Sequence, residues 1–306
     1  MRCFICRAYN RATSLNLSNL RRESDVRACE RRSVTGLFMT AQTEHEPYIL
    51  SVDTTTDARS VAICAGARVL AQAAGNLRSA QSANLLGDID ATLTKAGLRL
   101  AEIELLAVAR GPGSFTGLRA GLATMKAFAA TLNKPLVGVP TLHAVACSVG
   151  VAPHIVAALP AGRGELFAQL LACEADGMII ELSEPAHLPP HVLVERALNW
   201  PTPLKWVGNG AQTRAELLAE TAKRIGIEWH AEVDQSGSEE RNSGQRSGKM
   251  AGARVWTLAR PAATYATEIA ALALREYQAG RTLQAEELRA LYVRLSDAEL
   301  NERCRV

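Results

Sequence analysis

Ile103-Glu-Leu-Leu-Ala-Val-Ala-Arg-Gly-Pro-Gly-Ser-Phe-Thr-Gly-Leu-Arg119 passes from an apolar run through a glycine-rich turn into a helical pattern. The run Ile103 to Ala109 is short and bounded by charge, so it reads as a buried strand. From Thr116 the apolar residues fall at Leu118, Leu122, Met125, Phe128 and Leu132, a helical spacing. A strand that turns through glycine into a helix presents unpaired backbone N–H groups and the positive end of the helix dipole, which favours an anion such as phosphate. Ser114 or Thr116 is suited to cap that helix. A plainer reading stands beside it, in which the glycines supply positive φ and close helix packing. The turn lacks the Gly-Lys-Ser or Gly-Lys-Thr of a P-loop, and its third glycine comes one residue late for Gly-x-Gly-x-x-Gly.

Working outward, Tyr48 to Asp53, Ser60 to Ala65 and Arg68 to Ala74 read as three strands in a meander, the last two joined by a tight Gly66-Ala67 hairpin. A helix follows with Leu85, Leu86, Ile89 and Leu93 on its apolar face and Gly97 as its stop. After the Ile103–Arg119 unit, Pro135 to Val139 is a strand, and Thr141 can cap a short helix through Val149. The pattern then restarts. His154 to Leu159, Leu166 to Ala172 and Met178 to Leu182 are strands, with a turn at Gly162-Arg-Gly164. Pro190 to Trp200 is helical, Leu204 to Val207 is a buried strand running into Gly208-Asn-Gly210, and Gln212 to Arg224 is a helix. A doubled β-β-β-α-β-α unit predicts an α/β, two-lobed fold of the actin/Hsp70/sugar-kinase (ASKHA) type with a cleft between its lobes. The expected lobes are 47–152 and 153–306. The stretch 232–254, rich in Ser, Gly, Gln and charge, reads as a disordered insertion in the second. Thr264 to Ala279 is a last amphipathic helix, and the tail Leu288 to Leu295 is expected to pack back on the fold.

Composition narrows the function. The net charge of +3 resides in residues 1–46, which hold eight Arg and five acidic residues; the remainder carries 26 basic and 26 acidic side chains. A neutral body with 5% aromatic residues supplies neither the basic stripe nor the stacking platforms of a protein that grips RNA alone. Seven scattered cysteines point to reduced thiols and a cytoplasmic location, and Cys3-x-x-Cys6 lacks the second pair of a zinc ribbon. No stretch approaches the ~20 apolar residues of a membrane helix. The Arg-rich residues 1–46 form an N-terminal extension. For the first 38 the composition suits an organellar transit peptide, but a start of translation at Met39, with the upstream segment disordered or wrongly assigned, is the favoured reading.

Ile49-Leu-Ser-Val-Asp-Thr-Thr-Thr56 together with Arg110-Gly-Pro-Gly-Ser-Phe-Thr-Gly-Leu-Arg-Ala-Gly121 closely resembles the TsaB (YeaZ) family, convincingly over 47–150. In the second half, Leu159-Pro-Ala-Gly-Arg-Gly-Glu-Leu-Phe167 is similar to a family segment that opens on Asp where this chain has Pro160, and Leu291-Tyr-Val-Arg294 resembles a degraded closing motif. The resemblance implies a subunit that has no catalytic residues of its own and binds no metal. It would activate a TsaD-type threonylcarbamoyltransferase in making threonylcarbamoyladenosine in tRNA, alongside a TsaE-type ATPase, and would meet tRNA only through the complex.

Residue chemistry fits that division of labour. His187-Leu-Pro-Pro-His191 has helical metal-pair spacing, but Pro189 and Pro190 break the helix between the two imidazoles. Ser114 is not in a Gly-x-Ser-x-Gly elbow. The candidate nucleotide or phosphate residues are Asp53, Thr55, Gly111, Gly113, Ser114, Thr116, Gly117, Gly208, Asn209 and Gly210. They admit weak ATP or ADP binding without turnover, while in the plainer reading Asp53 caps the following turn. The rival function is an independent sugar-kinase-like phosphotransferase using Asp53 and the glycine loop. For partner docking, the resemblance implies a helix–helix interface built on Leu85, Leu86, Ile89, Leu93, Arg119, Leu122, Met125 and Phe128, open also to a homodimer when the partner is absent.

Overall fold

The computed structural model describes residues 46–76, 84–232 and 254–293, all within one compact unit, Glu46–Val306. Cys3-x-x-Cys6, most of the 232–254 stretch and Arg294 of the closing motif lie outside the described residues.

Two sheets of like topology form the frame. In the first, β1 (Tyr48–Asp53), β2 (Ala58–Ala65) and β3 (Arg68–Asn76) make an antiparallel meander, and β4 (Leu105–Ala109) and β5 (Leu136–Val139) extend it in parallel on the other side of β1. The order is β3-β2-β1-β4-β5. Helices α1 (Leu85–Ala96), α2 (Phe115–Leu132) and α3 (Thr141–Cys147) connect its later strands and lead out of it. The second sheet repeats the plan. β6 (Ala152–Gly162), β7 (Glu165–Cys173) and β8 (Ile179–Glu181) are antiparallel; β10 (Leu204–Val207), β12 (Val255–Leu258) and β11 (Glu228–Ala231) add in parallel beyond β6. A short β9 (Ala186–Leu188) pairs with β7, and α4 (Pro190–Ala197), the single turn α5 (Asn209–Gln212), α6 (Ala215–Arg224) and α7 (Ala266–Gln278) complete the order. The doubled ASKHA-like pattern is therefore present.

Alternation along each strand explains the layering, because successive side chains point to opposite faces. Leu50 and Val52 of β1 face α1 and α2 in a core with Ile89, Leu118 and Met125. Ile49, one residue out of step, faces a central core with Val145 of α3, Ile269 and Ala273 of α7, and Ile155 and Leu171 of the second sheet. On the far face of that sheet, Trp206 and Trp256 meet edge-on at 5.2 Å above α4 and α6. Both faces of both sheets are thus covered, which is why β4 is apolar throughout and β1 is buried from Ile49 to Asp53, its polar Ser51 and Asp53 included, rather than alternating between buried and exposed.

Several boundaries differ from expectation. The strand before the glycine loop starts at Leu105, since Leu100–Glu102 forms a 3₁₀ turn first. Thr141 is the first residue of α3 rather than its cap, and its hydroxyl is used elsewhere. Gln212 to Arg224 is two elements, α5 and α6, and the helix from Pro190 ends at Ala197. Helix α7, expected with the second lobe, packs on β1, β2, β4 and β5 of the first sheet. Ser51 of β1 donates to the Ala266 carbonyl at its start, at 2.7 Å.

Candidate functional site

The turn between β1 and β2 is polar yet buried: Asp53, Thr54, Thr55 and Thr56 are all shielded from solvent. Asp53 solves its own desolvation locally. Its Oδ1 accepts from the Thr55 N–H at 2.8 Å and the Thr55 hydroxyl at 2.7 Å, and its Oδ2 accepts from the Thr56 hydroxyl at 2.5 Å. Burial pushes this carboxyl above its ordinary range, with the threonine bonds pulling the other way. Thr55 Oγ1 also lies 3.0 Å from Thr141 Oγ1, and the Thr141 N–H donates to the Gly111 carbonyl at 2.8 Å, so the turn is tied to α3 and to the glycine loop.

The same turn lies against the glycine loop and α2. The Thr55 carbonyl accepts from the Ser114 N–H at 2.8 Å, and Thr54 Oγ1 donates to the Gly117 carbonyl at 2.7 Å. A Cβ at Gly113 would meet Thr55, and one at Gly117 or Gly121 would meet Thr54. The bare face of these glycines is covered by the chain's own threonines. Ser114 caps α2, its Oγ accepting from the Gly117 N–H at 3.3 Å, while Thr116 is exposed in the first turn. The contacts of Asp53, Thr55, Gly113, Ser114 and Gly117 are those of the plainer, packing reading of the loop. Gly111 has φ +103° and faces the Leu291 carbonyl, 2.7 Å from where its Cβ would stand.

In the second half, Gly208 (φ +96°) and Gly210 lie against the backbone of Ala158 and Leu159, where a side chain would collide with β6. Asn209 lines a shallow depression of about 660 Å³ with Arg260, Pro261, Ala262 and Ala263. It is the one expected nucleotide residue in that lining. A second open depression, about 700 Å³, is lined by Gly164, Pro190, His191 and residues 212–217, none of them in the expected set. His187 is on β9, with Nε2 2.8 Å from Glu165, and His191 is on α4, so the two do not share a helix. Among the described residues no group of three or more His, Cys, Asp or Glu is placed to hold a metal, and no helix is long and apolar enough to cross a membrane.

The expected docking residues separate by exposure. Leu85, Ile89, Leu93, Leu122 and Met125 are buried in the chain's own core under the first sheet and are not available to a partner. Each helix has one apolar stripe and the sheet takes it. Leu86, 56% exposed, and Arg119 remain on the surface, and Phe128 is half-buried. On the opposite side of α2, Ala120, Ala123, Ala127 and Ala130 are exposed in a row beyond Phe115 and Arg119. The Arg119 guanidinium lies 3.8 Å over the Phe115 ring, and Tyr292 from the closing segment tilts against that ring at 5.8 Å.

A family model described as TsaD, tRNA N6-adenosine threonylcarbamoyltransferase, matches residues 77–204. The tRNA threonylcarbamoyladenosine biosynthesis protein TsaB of Escherichia coli strain K12 is 31% identical over 176 residues, covering 56% of this chain and 76% of that protein. A tRNA N6-adenosine threonylcarbamoyltransferase of Chelativorans sp. is 47% identical over 57 residues, but these are 19% of this chain and only 16% of that protein. Two solved structures share the fold: YeaZ from Pseudomonas aeruginosa (TM-score 0.58, 21% identity, 80% of this chain and 99% of that one), and a protein described as similar to peptidase YeaZ from Pseudomonas aeruginosa (TM-score 0.61, 23% identity, 81% and 100%).

Proposed function

The chain belongs to the TsaB family of tRNA threonylcarbamoyladenosine biosynthesis proteins, and we propose that it is the non-catalytic subunit that binds and activates a TsaD-type transferase in making that modified nucleoside. The carrying observation is the asymmetry of coverage: the likeness runs through three quarters of a TsaB and only a sixth of a transferase. The site geometry supports it. Asp53, where a kinase of this fold would handle phosphate and metal, has its oxygens taken by Thr55 and Thr56, and the glycine loop is covered by Thr54 and Thr55.

The surface left for a partner is the exposed side of α2 with Leu86 of α1. Small side chains there let a second helix approach closely, and Phe115 and Arg119 at one end are residue types that dominate interface energies. The role is to hold the transferase in its competent state, a shift paid by interface energy. A homodimer on the same face, and a TsaE-type ATPase meeting the pair, belong to the same reading, with tRNA contacted only through the assembly.

Size-exclusion chromatography with light scattering on the full chain, alone and mixed with the TsaD-type subunit of the same organism, tests this. A 1:1 complex that gains threonylcarbamoyl transfer is the expected result. No complex and no gain, with ATP turnover by the lone chain abolished in Asp53→Ala, would replace this reading with an independent phosphotransferase.

A further inference from the structure

Residues 283–293 run back across the first half after α7 as a strap without helix or strand of its own. Leu283 exchanges two backbone bonds with Leu136 on β5, the open edge of the first sheet, at 3.2 and 2.8 Å. Leu288 is 1% exposed, with its side chain in a slot on β5 that is open because residue 138 is glycine; a Cβ there would collide with Leu288 Cδ1. The Leu291 N–H donates to the Arg110 carbonyl at 2.7 Å, and Gly111 turns to positive φ under the Leu291 carbonyl. Tyr292 then rests on Phe115. Two glycines, Gly111 and Gly138, are therefore shaped around this segment.

The hold is narrow. One fully buried side chain, the partly buried Leu283, Ala285, Ala290 and Val293 at the core margins, and three backbone bonds retain eleven residues, while Gln284, Glu286, Glu287 and Arg289 are exposed. Segments with few buried apolar contacts open locally at a small fraction of the global unfolding free energy. Both ends of the last stretch fall on the start of α2: Leu291 on Arg110 and Gly111 before the helix, Tyr292 on its first residue.

We infer that the 283–293 strap is a conformational latch for partner docking: closed, it adds the Leu291–Arg110 bond and the Tyr292–Phe115 contact to the threonine bonds that hold the approach to α2; open, it removes both, loosens the Phe115–Arg119 stack and weakens the complex. This rests on the reading of α2 as the docking face.

The test uses two full-length variants. Gly138→Ala adds a methyl group to the slot, and Leu288→Ala empties it without touching β5. Hydrogen exchange of the amides of Leu283 and Leu291 should accelerate in both, with amides of β1 unchanged, and affinity for the TsaD-type subunit should fall about tenfold, within the usual span of coupling between sites. Exchange that stays slow in both variants, or a freed strap with affinity unchanged, overturns the latch. Wild-type chain that forms no complex instead overturns the docking reading beneath it, so the two failures are distinguishable.

Discussion

At Asp53 a carboxylate is buried with three hydroxyl and amide donors and, among the described residues, no cation bonded to it. Burial raises its pKa above the ordinary 3.8, and the threonine bonds only partly offset this. The folded chain then holds the proton to higher pH than the unfolded chain. The group's contribution to stability is fully present below 3.8 and is lost as pH rises through the folded value. Asp53→Asn keeps the shape and removes the titration. The variant should gain on wild type as pH rises above the ordinary 3.8 and through the raised folded value, read as the difference between their urea midpoints. A difference that does not change with pH would mean that the threonine bonds cancel burial. Glu268, also pushed up by burial, titrates in both proteins and drops out of the comparison.

Helix α2 separates what folds the chain from what it offers to others. Ala127→Glu, on the exposed row, should change stability by no more than about 0.5 kcal/mol and weaken the transferase complex by at least about tenfold. Met125→Asp, two residues away, puts a charge into a fully buried position and should cost about 4 kcal/mol or more. Thermal melts and binding isotherms of the two variants check both halves; loss of stability in Ala127→Glu would show that the row is covered within the chain. The contrast also marks what was legible beforehand. Periodicity reads α2 because a sheet-facing stripe of Leu118, Leu122 and Met125 is what sets a helix against a core, and Leu122 and Met125, also expected at a partner interface, are buried in that stripe. The glycine loop was legible as a βα turn capped by Ser114, whereas its cover, Thr54 and Thr55, is supplied from some sixty residues earlier and no local pattern announces it. β9, β11 and β12 were not read from the sequence, although β5, β8 and β10, no longer than they are, were.

Across the whole molecule, α3 and α7 lie between the sheets, with Ala266, Ala270 and Ala273 letting α7 sit close to the first. Ala270→Leu should overfill that layer and cost about 1–3 kcal/mol, seen as a lowered Tm; an unchanged Tm would mean that the layer has slack. The resemblance of the two halves made both sheets readable from the doubled strand–helix order. That the last helix crosses back to the first sheet was not readable, since periodicity shows that a helix has an apolar face but not which sheet covers it. That crossing bears on how the protein is made. β5 is complete at Val139, but the helix that covers the inner face of its sheet begins at Ala266, some 127 residues later. At the pace of a ribosome this is roughly 6–25 s of synthesis. Throughout that interval the nascent first sheet shows Ile49, Leu105 and Ala107 without their α7 cover, so the half that is translated first is among the last to be finished, and a chaperone that binds apolar strands has its longest opportunity there.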